Sequence, residues 1–219
     1  MQNELLVDSI NKSYNNKSIL KDIYLKINTG NIVGLFGRNG CGKSTLLKII
    51  FGTLNAESKF IKINGIVYNN EAFKRKDIKL LPQNEFLPKY LKVSDIIKIY
   101  CKKNNVDSII NDKIIERIYK IKIRNLSGGE LRYLEIKLLL NMESKFILLD
   151  EPFNGVSPIL IDEIKKIIIE KSKSNGIILT DHDYRNVLSV ANKIYLMKNG
   201  SIKEMKNIEE IKEYGYIPS

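Results

Sequence analysis

The chain has 219 residues, 43% of them hydrophobic, with 36 Lys and Arg against 25 Asp and Glu for a formal net charge of +11. That length and apolar content support a sizeable buried core and exclude a mostly disordered chain. No run approaches the ~18 uninterrupted apolar residues of a membrane-spanning helix, and two cysteines with one histidine leave no disulfide framework and no zinc spacing.

Taken in chain order, residues 4–10, 18–28 and 59–67 alternate apolar and polar side chains, as half-exposed antiparallel strands do. Residues 32–36, 78–81, 146–149, 177–180 and 194–197 are short, nearly continuous apolar runs. Strands buried on both faces read this way, so a parallel sheet covered by helices is expected. From Val93 to Met142 the pattern is helical, with no convincing strand. The expected layout is an α/β core with a mostly parallel sheet, an antiparallel β flank, and an inserted α-helical subdomain at 84–142, the core being 1–83 and 143–219.

The first ten residues carry Glu4 and Asp8 where a secretory signal is apolar, so a cytoplasmic location is expected. Only six of the basic residues are arginines, and the lysines are scattered. A nucleic-acid binder gathers its charge on one face and reads bases largely with arginine, so the cations are read as a solvated surface and no specific nucleic acid is expected.

Directly after the run 32–36 comes Gly37-Arg38-Asn39-Gly40-Cys41-Gly42-Lys43-Ser44-Thr45, then an apolar helical stretch. This is the phosphate-loop pattern in its required context of strand, glycine-rich turn and helix start. Successive N–H groups in such a loop point at an anion, and the helix N-terminus adds partial positive charge. Lys43 would neutralise the β- and γ-phosphates of a nucleotide, and the Ser44 hydroxyl would ligate Mg²⁺. Cys41 is read as a small residue of the loop rather than a nucleophile.

Residues 146–151 are an apolar strand ending in Asp150 and Glu151. Asp150 would hold hydrated Mg²⁺, and Glu151 would take a proton from the attacking water. His182 follows the run 177–180 at a strand's C-terminal end, where parallel sheets place ligand-binding residues; a γ-phosphate contact is expected. Gln83 closes the run 78–81 and could reach Mg²⁺ and water. Leu126-Ser127-Gly128-Gly129-Glu130 precedes a long apolar helix. Ser127 and Glu130 make a capping box, which leaves the two glycines unexplained. A helix start stripped of side chains presents bare N–H groups as a second anion site, and one nucleotide can use both only if the second comes from another copy, so a dimer is implied.

With these motifs the chain resembles the nucleotide-binding subunit of ATP-binding cassette (ABC) transporters over nearly its whole length, as one ABC ATPase domain. The motifs run in family order: the aromatic Tyr14, Walker A (37–45), the Q-loop (Gln83), the signature (126–130), Walker B (146–150) with Glu151, and the H-loop (His182). The resemblance implies ATP as the nucleotide, Tyr14 stacked on adenine, and a head-to-tail dimer, either a homodimer or a pairing with a related cassette. In that dimer Ser127, Gly128 and Gly129 bind the γ-phosphate held by the partner's Walker A. It implies further that the helical subdomain receives an integral membrane permease on the cytoplasmic face of the membrane, and that ATP hydrolysis drives transport. Two residues depart from the family pattern: Ser157 stands where the loop after Walker B usually ends in Asp, and Glu130 replaces the commoner glutamine. Residues 150–158, 164–168 and 179–182 are similar to the lipopolysaccharide-export ATPase type and, more loosely, to branched-chain amino-acid importers. These stretches neighbour the nucleotide rather than the cargo, so the resemblance leaves the substrate open, with lipopolysaccharide or another lipid-like molecule as one expectation. The competing expectation is a soluble cassette ATPase acting on nucleic acid or ribosomes.

Overall fold

In the computed structural model, which describes residues 2–68, 76–101, 106 and 109–216, two sheets stack beneath a layer of helices. The first sheet holds β1 (Glu4–Tyr14), β2 (Lys17–Asn28), β4 (Ser58–Ile63) and β5 (Ile66–Val67) in the order β2-β1-β4-β5, antiparallel throughout. Leu20, Ile23, Leu25 and Ile27 of β2 are buried while Lys21, Asp22, Tyr24 and Lys26 are exposed. The spacing from Leu20 to Ile23 would break a strict period of two. A bulge restores it: Asp22 adopts a left-handed φ of 49°, and the pairing with β1 shifts register nearby.

The second sheet has the order β10-β9-β3-β8-β7-β6. Its strands are β3 (Ile32–Phe36), β6 (Ile78–Leu81), β7 (Phe146–Asp150), β8 (Gly176–Thr180), β9 (Lys193–Lys198) and β10 (Ser201–Met205). All pairings are parallel except β9 with the edge strand β10. Every residue of β3, β7 and β8 is buried, which accounts for their unbroken apolar runs.

Two features differ from the expectation. The run 59–67 is a hairpin and not one strand, turning at Asn64-Gly65, both at positive φ (49° and 83°) as a two-residue hairpin loop requires. β10 was not anticipated, because its sequence offers only Ile202 and Met205 as apolar residues; an edge strand buries little and tolerates the charges between them.

The helices are α1 (Lys43–Phe51), α2 (Val93–Tyr100), α3 (Lys113–Ile118), α4 (Gly128–Asn141), α5 (Pro158–Ser172), α6 (Tyr184–Leu188) and α7 (Ile208–Glu213). Between 93 and 141 the described elements are helical, a 3₁₀ turn at Ile123–Asn125 included, with one isolated antiparallel bridge, Lys92 to Lys122. Positions 102–105, 107 and 108 of the expected helical block lie outside the described residues.

The alternation along the parallel strands sorts the core into two layers. Phe36, Ile147, Leu149, Ile177 and Leu179 face the layer that includes Ile96, Leu134, Leu138 and Ile164. Val33, Leu35, Leu148 and Ile178 face α1 and the antiparallel sheet, against Leu46, Ile50, Leu25 and Val7. Each such side chain contributes about 1.5–3 kcal/mol on burial. Because β3, β6, β7 and β8 are parallel, their C-terminal ends reach one edge, where parallel sheets bind ligands.

Candidate functional site

At that edge lies a cleft of about 450 Å³ lined by Tyr14, Ile19, Asn39, Gly40, Gly42, Lys43, Ser44, Thr45, Gln83, Glu151 and His182. Its floor is the turn from β3 into α1. Gly42 occupies the N-cap position of α1 at φ 114°. A Cβ there would stand 3.0 Å from both Ile19 Cγ2 and Leu20 Cδ2. Gly42→Ala therefore adds backbone strain to a steric push on β2, about 1–3 kcal/mol together. The expected outcome is a lower thermal midpoint and weaker ATP binding, read by a melt and a titration; an unchanged pair of values would show that the loop does not need glycine here.

Lys43 is 7% exposed and its ammonium donates to the carbonyls of Gly37 (2.6 Å) and Arg38 (3.3 Å), at the loop's centre. Ser44 Oγ donates to Asp150 Oδ1 at 3.0 Å, and Thr180 Oγ1 donates to the same oxygen at 2.9 Å. Thus α1, β7 and β8 converge on one carboxylate oxygen. Hydroxyl and carboxylate oxygens side by side are the hard donors that Mg²⁺ takes, and among the described residues no group of three His, Cys, Asp or Glu side chains could hold a metal alone. Such a pair fits Mg²⁺, which keeps several waters and relies on one or two protein oxygens plus substrate phosphates.

A second polar cluster stands beside the first. Glu151 has a left-handed φ of 53°, and its N–H bonds the Thr180 carbonyl at 3.0 Å. That conformation turns its carboxylate into the cleft, where Oε2 accepts from Gln83 Nε2 at 2.9 Å and from Asn154 Nδ2 at 3.3 Å, and Oε1 lies 2.8 Å from His182 Nε2. The Glu151 side chain is 8% exposed and that of His182 46%, so the pair spans from interior to solvent. Asp181, between β8 and His182, accepts from the Phe153 and Asp183 N–H groups; burial pushes its carboxyl above the usual range against those donors.

Tyr14 ends β1 at the Asn15-Asn16 hairpin turn, with the Lys12 ammonium 5.0 Å from its ring centroid. The structure thus brings Tyr14, Asn39, Gly40, Gly42, Lys43, Ser44, Thr45, Gln83, Glu151 and His182 to one cleft, with Asp150 behind Ser44. Gly37 and Cys41 are not among its walls. Cys41 lines an adjoining cavity of about 790 Å³ that shares Ile19, Asn39 and Gly40 with the cleft and is also lined by Tyr216, whose hydroxyl donates to the Gly37 carbonyl at 3.2 Å.

Ser127, Gly128 and Gly129 are not among the walls of this cleft either, although Gly128 lines a small neighbouring pocket with Gln83, Arg132 and Glu151. Ser127 is the N-cap of α4 and Glu130 closes the capping box, as expected from the sequence. Gly128 is exposed and a Cβ on it would meet nothing within 4 Å. Among the described residues no contact demands a glycine there.

The matching family model is that of the ABC transporter, over residues 20–154, more than half of the chain. The chain belongs to the ABC transporter ATP-binding family. It is 32% identical to the lipopolysaccharide export system ATP-binding protein LptB of Haemophilus influenzae, across 95% of both chains. It is also 32% identical to the LptB of Escherichia coli K12, covering 90% of this chain and 88% of that one. Among solved structures, a nucleotide-free ATP-binding cassette from an ABC transporter superposes with a TM-score of 0.81 at 26% identity, over 99% of this chain and 96% of that chain. The protein is an ABC ATPase, the nucleotide-binding and ATP-hydrolysing subunit of an ABC transporter, and it is similar to the lipopolysaccharide-export type.

Three contributors to this ABC site escape motif reading. Thr180 was legible only as the end of a strand, and Arg132 and Glu135 only as residues of the helix after the signature. Thr180 bonds the Asp150 side chain, and Arg132 and Glu135 bond main-chain atoms of distant segments, contacts for which a single sequence carries no signal.

Proposed function

We propose that this ABC ATPase is a motor that dimerises head to tail around two Mg-ATP and drives a separate integral membrane permease from the cytoplasmic face of the membrane. Its cargo is lipopolysaccharide or a lipid-like molecule, a reading supported by the likeness to LptB over nearly the whole chain. The carrying observation is the pair of clusters at one strand edge, Ser44–Asp150 and Gln83–Glu151–His182, beside the loop that holds Lys43.

In this reading the N–H groups of 37–45 cradle the phosphates and Lys43 neutralises the β- and γ-oxygens. Ser44 and Asp150 would hold Mg²⁺, with Gln83 beside them, and the bound ion would supply charge against the developing phosphate oxygens. Glu151 accepts the proton of the attacking water, aimed by Gln83, while His182 contacts the γ-phosphate. The exposed Tyr14 ring stacks on adenine. Ser127, Gly128 and Gly129 bind the γ-phosphate on the partner's Walker A, a role supported by the open space at Gly128, which leaves room for an approaching phosphate. The helical subdomain, 84–142, receives the permease. Ser157 is exposed and makes no capping bond to α5, so its hydroxyl is free to reach across the dimer in place of the usual carboxylate, with weaker communication.

The test is size-exclusion with light scattering on Glu151→Gln, with and without Mg-ATP at physiological salt. A shift from monomer to dimer on adding nucleotide is expected. A protein that binds ATP and remains a monomer would overturn the homodimeric sandwich.

A further inference from the structure

Arg132 and Glu135, on α4, are buried to 7% and 0% exposure, and neither lines the nucleotide cleft. The guanidinium forks between two segments. Nη1 donates to the Pro82 carbonyl (2.8 Å) and to Glu135 Oε2 (3.3 Å), and Nη2 donates to the carbonyls of Asp150 (2.6 Å) and Glu151 (3.0 Å). Glu135 continues the link, accepting the Phe86 N–H at Oε1 at 2.9 Å. Burial pushes its carboxyl above the usual range, opposed by the Phe86 N–H and by Arg132.

We propose that Arg132, backed by Glu135, is a positioning residue for ATP hydrolysis: it fixes the backbone on either side of Gln83 and beneath Glu151 so that both side chains meet in the cleft. This rests on the roles given above to Gln83 and Glu151. A buried ion pair adds little net stability over apolar side chains of the same size. A guanidinium, though, is a rigid fork that can span several fixed acceptors at once. Here three acceptors are main-chain carbonyls at Pro82, one residue before Gln83, and at Asp150 and Glu151 themselves.

The Glu151 backbone shows why a clamp is needed. A left-handed non-glycine residue persists only where its surroundings over-determine it. Its N–H is held by Thr180 on one side and its carbonyl by Arg132 on the other. Released at the carbonyl, the peptide relaxes, and the carboxylate swings from Gln83 and His182. Arg132 also stands one helical turn after Gly128, on the same face of α4. Whatever binds at Gly128 is therefore connected through one rigid turn to the Glu151 carbonyl.

The experiment uses Arg132→Lys, which keeps the positive charge beside Glu135 but cannot span the three carbonyls. ATP affinity is expected to stay within about threefold of wild type with KM unchanged, while kcat falls about 10- to 100-fold, the usual penalty for a misplaced reacting group. In the Glu151→Gln background the same substitution is expected to cost less than about threefold, because the group it positions has lost its function. Normal kcat in folded Arg132→Lys, or the full loss persisting in the Glu151→Gln background, would overturn the proposal. Should Arg132→Lys fail to fold, the neutral pair Arg132→Gln with Glu135→Gln carries the same comparison. Slow turnover in Glu151→Gln with normal turnover in Arg132→Lys overturns this proposal alone, whereas wild-type turnover in Glu151→Gln overturns the reading of Glu151 and this proposal with it.

Discussion

Glu151→Gln is expected to bind ATP as wild type does and to hydrolyse it about 10²- to 10⁴-fold more slowly, the range a general base is worth. The amide matches the carboxylate in shape, so it still accepts a hydrogen bond from Gln83 and fills the same buried position. What it loses is basicity: it cannot take a proton from water. The proposed binding residues, the turn 37–45 and Lys43, are on other elements and keep their geometry. Single-turnover phosphate release beside an equilibrium titration with Mg-ATP separates the two effects. Wild-type release would remove Glu151 from the role of base, and a parallel loss of binding would mean that it acts on affinity instead.

Lys43→Ala should fail at the other step. A charge-assisted contact to phosphate is worth about 1.5–3 kcal/mol, so ATP affinity is expected to fall about 10- to 100-fold. Part of the loss arises in the loop itself, since the ammonium joins the Gly37 and Arg38 carbonyls and keeps the turn closed around the position of the phosphates. Binding measured with a fluorescent ATP analogue, together with a melt to show that the variant is folded, gives the answer. Undiminished affinity in a folded variant would assign the phosphate contact to the backbone amides alone.

The parts of this molecule that sequence reading reached are those whose physics is local. β3, β7 and β8 announce double-sided burial by having no polar interior position, and the glycines and Lys43 announce a phosphate turn by their spacing. The Asn64-Gly65 hairpin was also written locally, yet the alternation on either side of the turn ran on as one strand. β10 is different in kind, because polar residues at a sheet's edge look like a loop until β9 is known to be beside them. The arrangement of the site follows the same division. Asp150, Glu151 and His182 are marked by their place after apolar runs. The convergence of Ser44 and Thr180 on one oxygen of Asp150, and the fork of Arg132, depend on strand order and helix placement, which no short pattern encodes.

The sheet order also dictates when in the life of the chain a nucleotide site can exist. β3 and β7 are not neighbours; β8 lies between them and pairs with both. During synthesis, therefore, the phosphate turn and Walker B are both made before the strand that seats them side by side. An N-terminal product stopped ahead of Gly176 carries every residue of both motifs and still lacks the bridge that sets Asp150 against Ser44. In this protein the Ser44–Asp150 pair is thus assembled only once roughly four-fifths of the chain has been made, so that half of the site comes late in synthesis.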